Sequence, residues 1–239
     1  MTERLIWNFE LASDAPIDFT MLSSEAEDAY KWEARFFWKQ DAAIVLHGLT
    51  ADLLSLAKAS FKTHQDVYVI VPSHGREVPR GARDDVGNSP LNLKYRKNHL
   101  VYKPLMQKHN GLCAYGKKIK LDELALDTCL PETAGLTKSS LNALVQQQGH
   151  EIALFKEAVC FEFPTVPNTQ LELSKISVNP TRRLGLGPTP VVGPRPNLHF
   201  SACIEGKSQA LVDQLRRLIL PDAVPYDYPT FLAQEILSC

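Results

Sequence analysis

Between Leu91 and Lys120 the chain carries eight cations, Lys94, Arg96, Lys97, Lys103, Lys108, Lys117, Lys118 and Lys120, and not one aspartate or glutamate. They sit on segments that alternate in character as strands do. Side chains of a strand alternate between its two faces, so Lys94 and Arg96 share one face, as do Lys118 and Lys120. A sheet that gathers these groups must either turn that face to water or fold it around an anion. The plainer reading is a solvated outer face. The sharper one is an inner surface for a phosphate chain, whose oxygens call for charged donors and which arginine can grip two at a time. The formal net charge of the 239 residues is only -1, so any appetite for anions has to be local.

The rest of the chain reads as strands with helices between and after them. Leu91–Leu105 alternates and breaks at Lys97-Asn98-His99, the pattern of a hairpin, and Tyr115–Leu121 adds a further strand-like piece. Trp32–Trp38 and Asp66–Val71 are rich in aromatic and β-branched residues and are expected to be strands, whereas Ala42–Leu46 is open between strand and helix start. Thr50–His64 places Leu53, Leu54, Ala57 and Phe61 at helical intervals behind a capping threonine, which predicts a helix. Leu136–Gly149 predicts another, ended by its glycine. Glu151–Phe163, Gln170–Val178 and Leu198–Gly206 read as strands, and Ser208–Leu220 as a helix stopped by Pro221, with a last helix starting near Pro229. Ser73–Pro90 and Asn179–Pro196 are dense in glycine and proline and are expected to be loops. The fold class is therefore α+β with a predominantly antiparallel sheet.

Opposite charge opens the chain. Residues 1–33 hold eight acids against two bases, and carboxylates recur on predicted strands at Glu33, Glu162, Glu172 and Glu205. Such groups are costly to bury unless they are paired or bind a hard cation such as Mg²⁺. Five cysteines, Cys113, Cys129, Cys160, Cys203 and Cys239, form no C-x-x-C pair and read as reduced thiols. With no signal pattern and no apolar run approaching the roughly 20 residues of a membrane helix, the expected address is the cytoplasm and no membrane partner is expected. Ile44–Gly75 imitates the oxyanion-loop region of serine hydrolases, but the chain has no G-x-S-x-G, which leaves that activity a remote alternative. Phosphate-loop, dinucleotide-binding and H-E-x-x-H patterns are absent, and the seven histidines show no ligand spacing. Tyr68, Tyr95, Tyr102 and Tyr115 are expected to pack, although tyrosines on a basic sheet keep RNA in view as a partner.

In their order along the chain, these pieces resemble the CYTH superfamily, the triphosphate tunnel metalloenzymes, which include thiamine triphosphatases and class IV adenylyl cyclases. The likeness spans about Trp32 to Leu232 and rests on short motifs. Glu33-Ala34-Arg35 is similar to the family's opening strand of alternating glutamates, and Asp66-Val67-Tyr68 to its D-x-Y strand. Lys94-Tyr95-Arg96 and Lys103 resemble the R-x-R strand and the lysine after its hairpin. Lys156 and Glu172 resemble a later lysine and an acidic strand, Ser201–Gly206 the closing E-x-E strand, and Tyr228–Leu232 the tyrosine-containing end that follows the family's last helix.

The resemblance implies one domain over residues 1–239: a closed antiparallel β-barrel, or tunnel, of about eight strands with flanking helices and with the loop 179–196 before the last strand. It implies Arg35, Lys94, Arg96, Lys103, Lys118, Lys120 and Lys156 as phosphate ligands, and Glu33, Glu172 and Glu205 as holders of Mg²⁺ or Mn²⁺. Ser201 and Cys203 stand where the closing motif has carboxylates, so the departures fall on metal binding rather than on anion binding. The function expected is a metal-dependent phosphohydrolase acting on a small triphosphate or polyphosphate. The alternative is a non-catalytic barrel that binds a phosphorylated ligand or RNA. The sequence specifies neither a catalytic residue nor an oligomeric state.

Overall fold

A computed structural model describes residues 7–22, 27–71, 89–133, 135–183 and 197–237. Its strands are β1 (Phe9–Leu11), β2 (Lys31–Lys39), β3 (Ile44–Leu46), β4 (Ser60–Ile70), β5 (Leu93–Arg96), β6 (His99–Tyr102), β7 (Leu105–His109), β8 (Leu112–Tyr115), β9 (Ile119–Lys120), β10 (His150–Glu162), β11 (Gln170–Arg183) and β12 (Asn197–Gly206). The helices are α1 (Lys138–Gln148), α2 (Gln209–Ile219) and α3 (Tyr228–Leu237). Ten strands form one antiparallel sheet in the order β7-β8-β2-β12-β11-β10-β4-β5-β6-β9, and β1 pairs with β3 in parallel.

The sheet is not the closed barrel of about eight strands that the sequence resemblance implies. Among the described residues β7 pairs only with β8 and β9 only with β6, so both ends of the ladder are edges. The chain, not a ladder, links the two end regions: Lys103 and Pro104 lead from β6, beside the β9 edge, straight into β7, where the Gly116 amide donates to the Pro104 carbonyl at 3.0 Å. Pro104 has no N–H to offer a ladder, and β9 is two residues long, too short to sustain a second register.

The hairpins follow from local chemistry. Lys97 and Asn98, with φ of 50° and 64°, turn β5 into β6 at the expected break, and Asn110 and Gly111, with φ of 50° and 80°, turn β7 into β8. Thr137 and Ser208 accept from the Ser140 and Leu211 amides and start α1 and α2, both within the segments expected to be helical. The helix expected over Thr50–His64 does not form. Thr50 Oγ1 does accept from the Leu53 amide, but only a 3-10 turn follows at Leu56–Lys58, and β4 begins at Ser60. Eleven residues of β4 pair with β10, from Ser60 opposite Cys160 to Ile70 opposite His150, and that ladder outweighs the helical spacing. The loop expected at Asn179–Pro196 starts later, because β11 continues through Pro180 at an irregularity in its pairing with β10. The remainder of that loop, 184–196, and residues 73–88 of the other predicted loop lie outside the described residues.

Two faces of the sheet take different partners. Trp32, Ala34, Phe36 and Trp38 of β2, with Leu171, Leu173, Phe200, Ala202 and Ile204, pack beneath Leu211, Val212, Leu215 and Ile219 of α2. Burial of each large aliphatic or aromatic side chain there contributes about 1.5–3 kcal/mol against exposure. α1 presents Leu141 and Val145 to Val69, Leu93 and Tyr102 on the same side of the β4–β6 region. The opposite face carries Lys31, Glu33, Arg35 and Phe37 of β2 and their alternating counterparts on the neighbouring strands. α3 covers one end of it, setting Tyr228, Phe231 and Leu232 against Tyr68, Ile70, Ile152, Leu154, Ile176 and Val178. The polar end of that face is left to the site.

Candidate functional site

A cavity of about 310 Å³, at the small end of the range for ligand pockets, opens on that face. Arg35 from β2, His64, Asp66 and Tyr68 from β4, Lys94 and Arg96 from β5, and Lys156 from β10 line it, joined by Glu33, Lys103, Lys118 and the α3 residue Tyr228. Strand alternation explains the convergence: β4 offers 64, 66 and 68, β5 offers 94 and 96, and Tyr68 lies opposite Lys94 in the ladder. Six basic side chains face two acidic ones across this space.

Three ion-pair groups hold the walls. Glu172 Oε1 accepts from Arg35 Nη1 at 2.9 Å and from Lys156 Nζ at 2.6 Å. Burial would raise the Glu172 carboxyl, but Arg35 and Lys156 outweigh it and hold the group well below the carboxylate range. Glu33 accepts from Lys103 at 2.7 Å and lies 3.7 Å from Arg35, and these two cations likewise lower its carboxyl against the effect of burial. Asp66 pairs with Lys94 at 2.6 Å. Burial lowers the Lys94 ammonium in spite of that partner.

Arg96 and Lys118 are different. Among the described residues neither has an ion-pair partner, although both line the cavity. Burial and then the repulsion of Arg96 and Lys103 lower the Lys118 ammonium. Burial and then Lys156 lower His64, which lies opposite Lys156 in the ladder. Like charges forced together in a partly dry space lack a counter-charge, and a multiply charged anion would supply it.

Of the residues expected to bind phosphate, the structure brings together Arg35, Lys94, Arg96, Lys103, Lys118 and Lys156. Lys120 is not among them: it pairs with Glu123 at 2.7 Å in half-exposed surroundings, because the chain turns at Leu121–Glu123. The acids expected to hold metal are separately engaged. Glu33 and Glu172 serve the cations above, and Glu205 pairs with Lys31 at 2.7 Å and with the Gln170 amide. Ser201 and Cys203, beside them on β12, offer a hydroxyl and a buried thiol. Among the described residues no three His, Cys, Asp or Glu side chains form a metal-holding group. These residues do not fit Mg²⁺ or Mn²⁺, which need oxygen ligands not already neutralised by lysine and arginine.

Asp66, His64 and Tyr228 belong to the site but not to the set expected from sequence. Alternation along Phe61–Asp66 would have placed His64 and Asp66 on one face had the segment been read as a strand. Tyr228 heads the Tyr228–Leu232 segment that carries part of the family resemblance, but the sequence gives it no site role.

No family model matches the chain, and no curated protein matches its sequence. No helix among the described residues is long and apolar enough to cross a membrane.

Proposed function

We propose that the cavity binds a small oligophosphate, or a molecule carrying one, through its cations and without a metal ion. The observation that carries this is the pair Arg96 and Lys118, two cations that share the cavity and, among the described residues, have no acidic partner, while the described acids beside them, Glu33, Asp66 and Glu172, are already engaged. Arginine and lysine in such a space donate charge-assisted hydrogen bonds to phosphoryl oxygens, and the buried ion pairs fix the walls so that little order is lost on binding. Turnover by a metal-dependent route would need Glu33, Glu172 and Glu205 to exchange their cationic partners for a metal ion. Binding needs no such exchange. Three buried thiols, Cys113, Cys160 and Cys203, suit a reducing compartment such as the cytoplasm.

Calorimetric titration with tripolyphosphate, with and without Mg²⁺ or Mn²⁺, tests the reading. We expect binding without metal, weakened by salt, and reduced about 10–100-fold in Arg96→Ala/Lys118→Ala with no loss of thermal stability. Unchanged affinity in that variant would return both residues to the solvated surface. Metal-dependent release of phosphate would restore the phosphohydrolase.

A further inference from the structure

Among the described residues, four buried side-chain polar atoms have no hydrogen-bond partner: Trp7 Nε1, Trp32 Nε1, Arg35 Nε and Tyr228 Oη. The two indoles belong to the core beneath α2. The other two residues line the same cavity, 7% and 9% exposed, with the guanidinium carbon of Arg35 4.7 Å from the centre of the Tyr228 ring. A buried donor without an acceptor costs stability, and each such group in a folded protein calls for an explanation.

Packing accounts for the ring of Tyr228 but not for its hydroxyl. The ring stacks on Tyr68 at 5.6 Å, meets the Phe37 edge at 5.1 Å and receives Arg35 on its face. Phenylalanine would make every one of these contacts. Position 228 is also held firmly: the Tyr226 amide donates to the Arg35 carbonyl at 2.7 Å, and Asp227 accepts from the Thr230 amide at 2.7 Å.

We propose that Tyr228 is a specificity-determining residue: its hydroxyl donates to an oxygen of the bound oxyanion, as does Arg35 Nε, so that the ligand binds α3 as well as the sheet. This rests on the reading of the cavity as an oligophosphate site. A tetrahedral oxyanion has acceptors to spare once Lys156 and Arg35 are satisfied, and a hydrogen bond to a charged acceptor in a buried setting is among the stronger ones. Occupancy should therefore tighten the docking of α3.

Tyr228→Phe removes the hydroxyl and nothing else. Titration with tripolyphosphate and hydrogen exchange of the α3 amides, each with and without tripolyphosphate, compare it with the unsubstituted protein. We expect equal or higher thermal stability without ligand, affinity reduced about tenfold or more, and loss of the ligand-induced protection of α3. Unchanged affinity would overturn the proposal and leave the hydroxyl to water, for which the adjoining 20 Å³ space lined by Arg35, Asp227 and Tyr228 has room. A lower thermal stability without ligand would also overturn it, since the hydroxyl would then have a structural partner. No binding by the unsubstituted protein would overturn the oligophosphate reading itself, and this inference with it.

Discussion

Replacing Glu172 by glutamine should weaken the fold and strengthen the binding of anions at once. The carboxylate is about one-tenth exposed and one of its oxygens serves both Arg35 and Lys156, so Glu172→Gln keeps the shape and one acceptor but leaves two buried cations with less compensation. Removing one partner of a buried charge pair costs about 3–5 kcal/mol. Arg35 keeps Glu33 at 3.7 Å and the cavity reaches solvent, which places the expected loss at the lower end, about 3 kcal/mol. For a chain of this length that lowers the melting midpoint by about 6–12 °C. The same substitution removes a negative charge beside the proposed ligand. Even with strong screening, that repulsion is about 1 kcal/mol, roughly fivefold in affinity for tripolyphosphate. Thermal unfolding across a tripolyphosphate series reads both effects, because ligand bound only to the folded state restores stability in proportion to the logarithm of its concentration over Kd. A variant as stable as the parent would refute the role given to the pair. A variant that is less stable and binds more weakly would refute the idea that Glu172 competes with the ligand. Glu205→Gln is the control: its lysine partner is half-exposed, so its cost should stay near or below about 1 kcal/mol.

Acid should expose the same pair. Glu172 and Glu33 are held below their ordinary value of 4.5, so their stabilisation is present above that pH and is lost as the pH falls below it; unfolding midpoints between pH 6 and 3 should drop more steeply in the parent than in Glu172→Gln. His64 is lowered from 6.5 by burial and by Lys156, and a bound anion would raise it again, so binding should take up a proton and tighten as the pH falls from 8 through 6, a slope that His64→Gln should flatten. Gly111→Ala should cost more than about 1 kcal/mol in urea unfolding, since φ is +80° and the added Cβ would lie 2.5 Å from Pro225. Burial pushes the Cys113 thiol up to about 12, so iodoacetamide at pH 8 should modify exposed Cys129 and spare Cys113, as peptide mass mapping would show.

What could be read from the residues, and what could not, divides along the range of the interactions. Strands β2, β5, β6, β10, β11 and β12 were legible because alternation is written into each segment, and α1 and α2 because Gly149 and Pro221 mark where they stop. Ser60–His64 was misread because its fate is decided by β10, about 100 residues away, whose ladder outweighs any local spacing. Closure was misjudged for a related reason: a barrel depends on whether two edge strands pair, and Pro104 carries the chain from β6, one strand in from the β9 edge, into the β7 edge without a ladder. In the site, an acid-free run betrays its own cations, so Lys94, Arg96, Lys103 and Lys118 could be named in advance. Their neutralisers could not, since Glu172 and Asp66 look like any strand carboxylate until the fold sets them against a particular lysine. Lys118 and Lys120 share a parity and still part company, because Leu121–Glu123 turns the chain and hands Lys120 a local partner. The cations that remain without acids after folding, rather than the cations that cluster in the sequence, are the ones that mark where a ligand is missing its place in the charge balance.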